Sequence, residues 1–478
     1  MPNSPPQENP YDDWFGVDET TVYRVLSEAM GRGADFADVY FQQANTMSIS
    51  MEDGIISRSS TGVDRGVGVR AVVGDQVGYA FSENLDAEAI LEAARTAATI
   101  ASGSARVPPQ EISRPELPNR YGLDRAWDTV SVAERLPLVQ KTEATVREME
   151  AAIEKVSVTW HDRDERILIA TSDGVRCADR RPMATLGCHI TALRNGQRQS
   201  HGAATARRQE IGWFTDDRIR DICRKAVDRT MILFEAQRPP AGEMPVVLAA
   251  GASGILLHEA IGHGLEADFN RKGTSIYSTL LDKQVAPEFV TVVDDGTLPN
   301  DRGALNVDDE GTPVERTVLI ENGILRSYMH DRISAAHYGV PPTGSGRRED
   351  YRHVPIPRMR STYMLDGPHG YDEIVAAVDR GIVAESFTNG QVQIGAGDFT
   401  FYIKNGWRIE NGKRTAPIKD VNIIGNGPEA LRNVLMAAGD SKLDDSTWTC
   451  GKDGQGVAVS LGIPTVLVKR MTVGGVNA

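Results

Sequence analysis

The sequence predicts an α+β protein in which N-terminal antiparallel sheet modules with flanking helices precede a β-rich domain. Two observations carry this prediction. The first half of the chain twice shows the order helix, hairpin-linked strands, helix, and past residue 238 short strands rich in glycine, valine and threonine replace that order. A chain of 478 residues is long enough for several domains with sizeable cores.

Proline-rich and polar stretches set the expected boundaries. We divide the chain into a flexible N-terminal tail (1–16), a first α/β module (17–102), a linker (103–125), a second α/β module (126–237) and a β-rich domain (238–478). The linker contains Pro108, Pro109, Pro115 and Pro118, a composition typical of an extended surface crossing.

The first module is predicted to begin with a helix from Asp18 to about Gly31, because Asp18 can cap it and apolar residues recur on one stripe. A second, alanine-rich helix follows from Asp86 to Ala101. Between them, alternating apolar residues and glycine turns predict an antiparallel meander. Its strands are expected at 38–43, 46–52, 55–58, 66–73 and 76–82.

The second module repeats this order. Amphipathic helices are predicted at 132–152 and 217–233, and Asp173-Gly174 and Asn195-Gly196 supply hairpin turns between the strands. The strands are expected at 156–162, 165–171, 176–193 and 196–206.

The β-rich domain opens with an apolar strand at 244–250 that leads into a histidine-containing segment. Helices are predicted at 371–380 and 428–438, and Asn322-Gly323 and Asn405-Gly406 are interpreted as hairpin turns. The remaining strands are expected at 289–294, 316–321, 323–327, 392–394, 400–405 and 407–410.

Charge and composition exclude several classes of protein. The net charge is −14 and lysine and arginine form no concentrated stripe, so we expect no nucleic-acid partner. No apolar run approaches the ~20 residues of a membrane span, and the first residues lack the pattern of a secretory signal. We therefore expect a cytoplasmic protein whose four cysteines are thiols.

The segment Gly254–Gly264 places His258, Glu259 and His263 among small and apolar residues. Histidines five positions apart diverge by roughly 140° on a regular α-helix, so a shared metal ion requires a π-type turn. We expect this helix to be widened or kinked near 260–262, where glycine makes distortion cheap. Spacing alone leaves open the alternative of two core histidines bonded to backbone, with Glu259 paired to an arginine.

A catalytic zinc site generally takes three protein ligands and keeps a position for water. His258 and His263 would supply two of them. The residues left as candidates for the third are His330, His337, His353, His369, the acidic side chains and Cys450. Cys450 lies in a glycine-bracketed stretch that we interpret as a loop, and a single loop cysteine is more often an incidental buried thiol.

Several motifs together resemble one known family. They are His258-Glu259-Ala260-Ile261-Gly262-His263, Cys450 in its Gly-Lys-Asp-Gly-Gln context, and the stretches 302–313, 346–353 and 357–360. In these motifs the chain resembles the TldD family of cytoplasmic zinc metalloproteases, the metal-bearing relatives of the PmbA (TldE) proteins. The resemblance extends from about residue 18 onward.

The resemblance implies that His258, His263 and Cys450 ligate Zn²⁺ and that Glu259 is the general base of a metallopeptidase domain of the HExxxH type. It further implies cleavage of unfolded or unstructured peptides by a homodimer, or by a heterodimer with a PmbA/TldE-like paralogue. Two other functions remain open: a non-catalytic scaffolding subunit of the same protease complex, and a zinc amidohydrolase of small amides.

Substrate-binding residues are not identified by any motif. The glycine-bracketed stretch 390–397 is our candidate for a strand edge that pairs with an extended peptide, and ordinary turn glycines are the alternative. We interpret these four residues as a solvated basic loop in preference to a cleft wall or a partner surface: Arg347, Arg348, Arg352 and His353.

Overall fold

The computed structural model describes residues 14–105, 107–393 and 396–475. Most of the predicted tail, residues 1–13, lies outside the described residues, as does Ile394 of the predicted strand 392–394. Within the described ranges the predicted α+β class is confirmed: antiparallel sheets with flanking helices precede a β-rich domain. No helix among these residues is long and apolar enough to cross a membrane.

One six-stranded antiparallel sheet is built from both N-terminal modules, in the order β3-β2-β1-β4-β5-β6. The two modules meet at β1 and β4, which pair along their length, with Asp38 opposite Thr171 and Glu52 opposite Ser157. The strands are β1 (Phe36–Glu52), β2 (Ile55–Val73), β3 (Gln76–Ser82), β4 (Ile153–Thr171), β5 (Arg176–Arg194) and β6 (Gln197–Arg207).

Four helices flank this sheet, and the predicted repetition of helix, strands, helix is confirmed. Helices α1 (Glu19–Met30) and α2 (Ala87–Ile100) bury apolar residues against β1 and β2. Helices α3 (Val132–Met149) and α4 (Asp216–Met231) bury theirs against β4 and β5. Asp18 caps α1 as predicted, accepting a hydrogen bond from the Thr21 N–H at 2.7 Å.

The predicted breaks within β1, β2 and β4 are wrong, because each is one continuous strand. Asn45, for example, lies where β1 was expected to stop. It pairs with Val63 of β2 on one side and with Asp164 of β4 on the other. Because neighbours on both sides engage the backbone, a short polar stretch does not end a strand.

The β-rich domain contains two further six-stranded sheets. One has the order β10-β9-β8-β13-β21-β18 and the other β16-β15-β14-β7-β22-β17. Strand β22 also pairs with β16, so that β16, β15, β14, β7 and β22 form a closed ring. The strands are β7 (Gly242–Leu248), β8 (Val292–Asp295), β9 (Arg316–Glu321), β10 (Ile324–Leu325), β11 (Gly346–Arg347), β12 (Ile356–Pro357), β13 (Ser361–Met364), β14 (Arg380–Gln393), β15 (Asp398–Glu410), β16 (Lys413–Asn426), β17 (Val434–Ala437), β18 (Lys442–Leu443), β19 (Thr449–Lys452), β20 (Gln455–Ala458), β21 (Ser460–Ile463) and β22 (Val466–Gly474).

Short helices connect these strands and fill the spaces between the sheets. Their ranges are Ala267–Arg271, Arg332–Tyr338, Tyr371–Ala376 and Gly427–Arg432.

The predicted hairpin turn at Asn405-Gly406 is wrong, because both residues lie inside β15. Gly406 serves a different purpose there: a Cβ atom at this position would overlap the carbonyl oxygen of Val383 on the neighbouring strand. The turn comes later, at Asn411-Gly412, where φ is 52° and 71°.

The two predicted helices of this domain are shorter than expected. The first ends at Ala376, and Arg380 already begins β14. The second ends at Arg432, and the stretch 434–437 pairs as β17 with β22. Local helical periodicity was outweighed here by strand pairing with a distant part of the chain.

Buried ion pairs join the N-terminal sheet to the β-rich domain. Arg70 of β2 contacts Asp38 of β1 at 2.5 Å and Glu310 at 2.8 Å, and Arg348 reaches Asp38 at 3.2 Å. All four side chains are at most 1% exposed. Arg347 is also buried, so the predicted solvated basic loop is wrong for these two arginines, whereas Arg352 and His353 are partly exposed.

Candidate metal centre

The His258 segment follows β7 and winds through several helical geometries. A 3₁₀ turn (Ala252–Gly254) is followed by one α-helical turn (Ile255–Leu257), a π-helical turn (His258–Gly262) and another 3₁₀ turn (His263–Leu265). The predicted widening of the helix near residues 260–262 is therefore confirmed. In a π turn, residues five apart return to the same face, which is the arrangement that this histidine spacing requires.

The glycines of the segment provide space, not unusual backbone angles. Gly262 has a φ of −56°, within the range of any residue. A Cβ atom on Gly262 would overlap the sulfur of Met359, and one on Gly264 would lie 2.7 Å from the ring of Tyr277. We expected glycine here because it makes backbone distortion cheap. The structure shows a different reason: without side chains, Gly262 and Gly264 let Met359 and Tyr277 pack closely against the π turn.

His258, His263 and Cys450 come together in the structure. One ligand atom from each lies within 4.8 Å of the other two, and Cys450 Sγ is 3.5 Å from His263 Nε2. Zinc bonds of about 2.0–2.3 Å in a tetrahedral site place neighbouring ligand atoms roughly 3.5 Å apart. The three side chains are only 2–4% exposed.

The chemistry of these three donors fits zinc. Two imidazoles and one thiolate are ligands that Zn²⁺ accepts, and three protein ligands leave a fourth position open. Within the described part of the chain, the buried Nδ1 of His258 has no hydrogen-bond partner, which leaves this imidazole available to an ion. The residues present therefore fit a zinc ion.

Cys450 lies on a strand and not in the predicted loop. Strands β19 and β20 form a hairpin through Asp453-Gly454, where φ is 50° and 75°, and Cys450 pairs with Val457. Alternation along β19 buries Cys450 and Lys452 on the same face. The guanidinium of Arg358 donates to the carbonyl oxygen of Cys450 at 2.5 Å and anchors this strand.

Glu266 fixes the orientation of His263. Its Oε2 lies 3.0 Å from His263 Nδ1, so the Nδ1–H donated to this carboxylate leaves Nε2 directed at Cys450. Lys452 Nζ lies 3.2 Å from the same carboxylate. Burial would raise the pKa of Glu266, but Lys452 and His263 together lower it to about 2.

The charges around Cys450 favour its thiolate. Burial alone would raise the pKa of this thiol, but the imidazoles of His258 and His263 bring the pKa well below its ordinary value. Burial would lower the pKa of His263, but Glu266 and Cys450 raise it well above the ordinary value. The thiolate is the form of Cys450 that binds a metal ion, and His263 must lose its second ring proton to bind the same ion.

Glu259 lies at the rim of the centre. Its side chain is 20% exposed, and its Oε2 is 3.9 Å from His263 Nε2. The carboxylate therefore lies beside the His263 imidazole and is partly open to solvent.

The other candidate histidines lie outside the centre. His353 contacts Asp350, and His369 contacts the backbone of Ala437. The rings of His330 and His337 both pack against Tyr338. Among the residues described, the group able to hold a metal ion is His258, His263 and Cys450.

Sequence reasoning missed Glu266, Lys452 and Arg358, which orient the donors. The spacing of His263 and Glu266 is a usable signal, because residues three apart share a helical face. Lys452 could have been found from strand alternation once Cys450 was placed on a strand.

Comparison with known proteins identifies the family. The model described as the PmbA/TldA metallopeptidase C-terminal domain matches residues 241–475. Models described as domain 1 and the central domain of the same metallopeptidases match residues 37–101 and 125–234.

Two relatives and one solved structure agree with these matches. A metalloprotease TldD homologue from Haemophilus influenzae is 38% identical over 96% of both chains. A zinc metalloprotease TldD homologue from Saccharolobus solfataricus is 29% identical, covering 95% of this chain and 100% of the relative. A Thermotoga maritima structure, described as that of a proposed modulator of a DNA gyrase, shares the fold with a TM-score of 0.78 at 20% identity, covering 95% of this chain and 100% of that one. With its three domains matched in order and relatives similar along nearly its whole length, the chain belongs to the PmbA/TldD family of metallopeptidases.

Proposed function

We propose that the protein is a zinc-dependent peptidase of the HExxxH type that hydrolyses peptide bonds in unfolded peptides. The observation that carries this proposal is the convergence of two imidazoles and one thiol beside a partly exposed glutamate. His258, His263 and Cys450 would hold the ion. The names of the relatives, metalloprotease and zinc metalloprotease, agree with this reaction class.

The roles of the side chains follow from their positions. Zinc, when bound, lowers the pKa of a water molecule toward neutrality and polarises a substrate carbonyl. Glu259 accepts the proton of the attacking water at its carboxylate, and its partial exposure keeps that carboxylate accessible. Glu266 holds His263 in the tautomer that keeps Nε2 available.

An extended peptide finds a strand edge near the π turn. Residues 390–393 of β14 pair with β15 on one side and, among the described residues, with no strand on the other. Phe387, Phe399 and Phe401 of this hairpin share a core cluster with Ala260 and Ile261. Backbone pairing at such an edge is largely independent of side-chain sequence, which suits unfolded substrates. Residues 394 and 395 of the predicted edge lie outside the described residues.

A dimer is part of the proposal, either a homodimer or a heterodimer with a paralogue of the same family, acting in the cytoplasm. The support is an open edge on β2, where β3 pairs only with residues 67–73. Ile55 and Val63 on the unpaired part are each 70% exposed, and exposed apolar edges mark protein interfaces. The mass of the purified protein in solution, alone and mixed with a paralogue, tests this point.

Replacing Glu259 with glutamine tests the reaction. We expect E259Q to retain zinc while kcat for an unfolded peptide falls by about 10²–10⁴-fold, the usual contribution of a general base. The same change at the exposed Glu288 is the matched control and leaves kcat unchanged. Full activity in zinc-loaded E259Q would refute the mechanism.

Zinc content and substrate range test the two other functions. A scaffolding subunit requires no zinc in the wild-type protein and cleaves no peptide. A hydrolase of small amides turns over small amides faster than unfolded peptides, so kcat/KM for both substrate classes distinguishes it from a peptidase.

A further inference from the structure

A cavity of about 250 Å³ lies between the N-terminal sheet and the hairpin that carries Cys450. The sheet contributes Tyr40, His161 and Thr185 to the wall, and the hairpin contributes residues 456–458. Six arginines line the cavity, against three acidic residues. The arginines are Arg163, Arg181, Arg208, Arg302, Arg347 and Arg348.

Three of these arginines are paired with carboxylates. Arg163 contacts Glu165 at 3.0 Å, Arg181 contacts Asp309 at 2.6 Å, and Arg348 contacts Asp38 at 3.2 Å. These pairs account for two of the three acidic residues in the wall. The third is Glu349, which accepts a hydrogen bond from the Gly456 N–H at 2.6 Å.

The other three, Arg208, Arg302 and Arg347, are buried without a carboxylate. They are 5–8% exposed, and no carboxylate in the described ranges lies within 4.0 Å of their guanidinium groups. A buried charge is costly unless it is paired, so three such guanidinium groups around one cavity require an explanation.

In each of these three arginines, neutral oxygen atoms accept hydrogen bonds from only some of the N–H groups of the guanidinium. Arg302 donates to the Trp448 carbonyl at 3.0 Å and the Thr449 hydroxyl at 3.3 Å. Arg347 donates to the Met359 and Ala458 carbonyls at 2.6 and 2.8 Å. Arg208 donates to the Pro182 carbonyl at 3.2 Å, and its Nε has no acceptor in the part of the chain described. Each guanidinium has five N–H groups, so donors remain for a ligand.

Burial without an anion also lowers the pKa of these groups. The pKa of Arg347 falls to about 9 and that of Arg302 to about 10, in both cases chiefly because burial disfavours the charge. By contrast, Asp309 and Asp179 raise the pKa of Arg181 above its ordinary value despite equal burial. An anion in the cavity would raise the pKa of Arg347 and Arg302 again, as Asp309 and Asp179 do for Arg181.

The cavity adjoins the metal centre through shared residues. Val457 in its wall is the strand partner of Cys450. Met359 accepts a hydrogen bond from Arg347 through its carbonyl, and its sulfur packs at Gly262 of the π turn. The cavity and the metal centre are therefore neighbours that share Val457, and Arg347 of the cavity contacts Met359 beside the π turn.

We propose that the cavity binds a carboxylate of the peptide substrate through Arg208, Arg302 and Arg347. Guanidinium groups match a carboxylate by donating parallel N–H bonds, and a local excess of positive charge concentrates anions inside a protein whose net charge is −14. The inference rests on the proposed peptidase function. A peptide offers this chemistry at its C terminus and on aspartate or glutamate side chains.

Binding of three labelled peptides to the inert E259Q variant decides the question, with fluorescence anisotropy as the measurement. The peptides share one sequence without acidic residues: one has a free C terminus, one a C-terminal amide, and one an amide plus a single internal glutamate. We expect at least tenfold tighter binding for a peptide with a carboxylate than for the plain amide, because loss of a hydrogen-bonded partner leaves buried donors unpaired. Preference for the first or third peptide identifies which carboxylate occupies the cavity.

Variants locate the effect at the cavity. In the E259Q background, R302Q and R347Q are expected to abolish the preference for a peptide with a carboxylate, whereas R220Q, a change at an exposed arginine, keeps this preference. Equal affinity of E259Q for all three peptides overturns the inference without any further variant, so misfolding of a variant cannot rescue it. A preference that persists in correctly folded R302Q and R347Q also overturns it.

Cleavage by the wild type is measured separately. Absence of cleavage refutes the peptidase function, while the binding comparison still decides whether the cavity binds a carboxylate.

Discussion

At the scale of single residues, the centre depends on groups that orient the donors as well as on the donors themselves. Glu266 contacts His263 and Lys452 while it is fully buried. Asp268 contacts the same Lys452 at 2.7 Å but, among the described residues, makes no hydrogen bond or ion pair with His263, so the two acids form a natural pair for comparison.

Replacing Glu266 with glutamine is expected to weaken zinc binding by about 10–100-fold, because the carboxylate no longer fixes the His263 ring. Competition with a zinc chelator measures the change. The variant D268N removes the other carboxylate at Lys452 but leaves the contact between Glu266 and His263 in place. It is the control and is expected to keep zinc affinity close to that of the wild type. Equal zinc affinity in E266Q and the wild type would show that Glu266 does not act through His263.

Replacing Cys450 with serine removes the thiolate. We expect about one zinc per chain in the wild type and a large loss in C450S, because a serine hydroxyl stays protonated where the thiol ionises. Metal analysis after desalting measures it, and C188S, at a buried cysteine of β5, is the control that keeps the metal. Wild-type zinc content in C450S would exclude Cys450 as a ligand.

The sequence predicted much of this centre at the residue scale. The motif positions His258, Glu259 and His263, and the resemblance that added Cys450, named residues that the structure brings together. Lys452 and Arg358 were missed because their contacts join distant parts of the chain, such as Arg358 with the Cys450 carbonyl. Glu266, three residues from His263, could have been found from its spacing.

At the scale of elements, the π turn was predictable because five-residue histidine spacing has few helical solutions. The strand conformation at Asn405-Gly406 was not predictable from the sequence. An Asn-Gly dipeptide occurs in hairpin turns and also where two strands approach closely. The carbonyl oxygen of Val383 on the neighbouring strand requires glycine at position 406. This contact depends on how the strands pair and cannot be read from the local sequence.

The loop formed by residues 307–312, here called the acidic loop, is held by hydrogen bonds from backbone N–H groups to one carboxylate. Asp308 accepts hydrogen bonds from the N–H groups of Glu310, Thr312 and Gly346. Burial and the nearby Glu310 charge nevertheless raise the pKa of Asp308 to about 7.

This shift predicts a dependence of stability on pH. Because the folded-state pKa lies above the ordinary value of 3.8, the native state binds the proton more tightly than the unfolded state. Protonated Asp308 therefore contributes to the free energy of unfolding. This contribution is complete below about pH 4 and is lost as the pH rises to about 7, and it amounts to a few kcal/mol in order of magnitude. Urea unfolding of D308N and the wild type at pH 5 and pH 8 measures it. The free energy of unfolding of D308N relative to the wild type should increase from pH 5 to pH 8, and an unchanged difference would contradict the assignment.

At the scale of the whole molecule, the N-terminal sheet and the β-rich domain are held together by the cluster of Asp38, Arg70, Glu310 and Arg348. Arg348 of this cluster also lines the cavity described above. The relative position of the two parts therefore bears on the site as well as on stability.

Replacing Arg70 with methionine leaves Asp38 without one partner and Glu310 without its arginine. We expect the free energy of unfolding to fall by about 3–5 kcal/mol, as is usual when one member of a buried ion pair is removed. Urea unfolding measures the loss, and R198M, which breaks the exposed pair with Glu154, is expected to cost no more than about 1 kcal/mol. A loss in R70M as small as that in R198M would show that the cluster does not hold the two parts together.

The overall class and the repeated modules were predictable from periodicity and turn residues, but the assembly of the modules was not. Strands β1 and β4 pair although about a hundred residues separate them, and no local pattern specifies that β1 faces β4 and not another edge. The closed strand ring of the β-rich domain has the same origin, since β22 pairs with both β7 and β16.

The closed strand ring bears on when the metal centre can form during synthesis on the ribosome. Strand β7 leads into the π turn, yet its neighbour β22 spans Val466–Gly474 and is translated more than two hundred residues later. Cys450 also emerges long after both histidines. A growing chain therefore carries two donors and an unfinished ring until almost all of it has been made. The three donors can therefore come together only after translation of this domain is nearly complete.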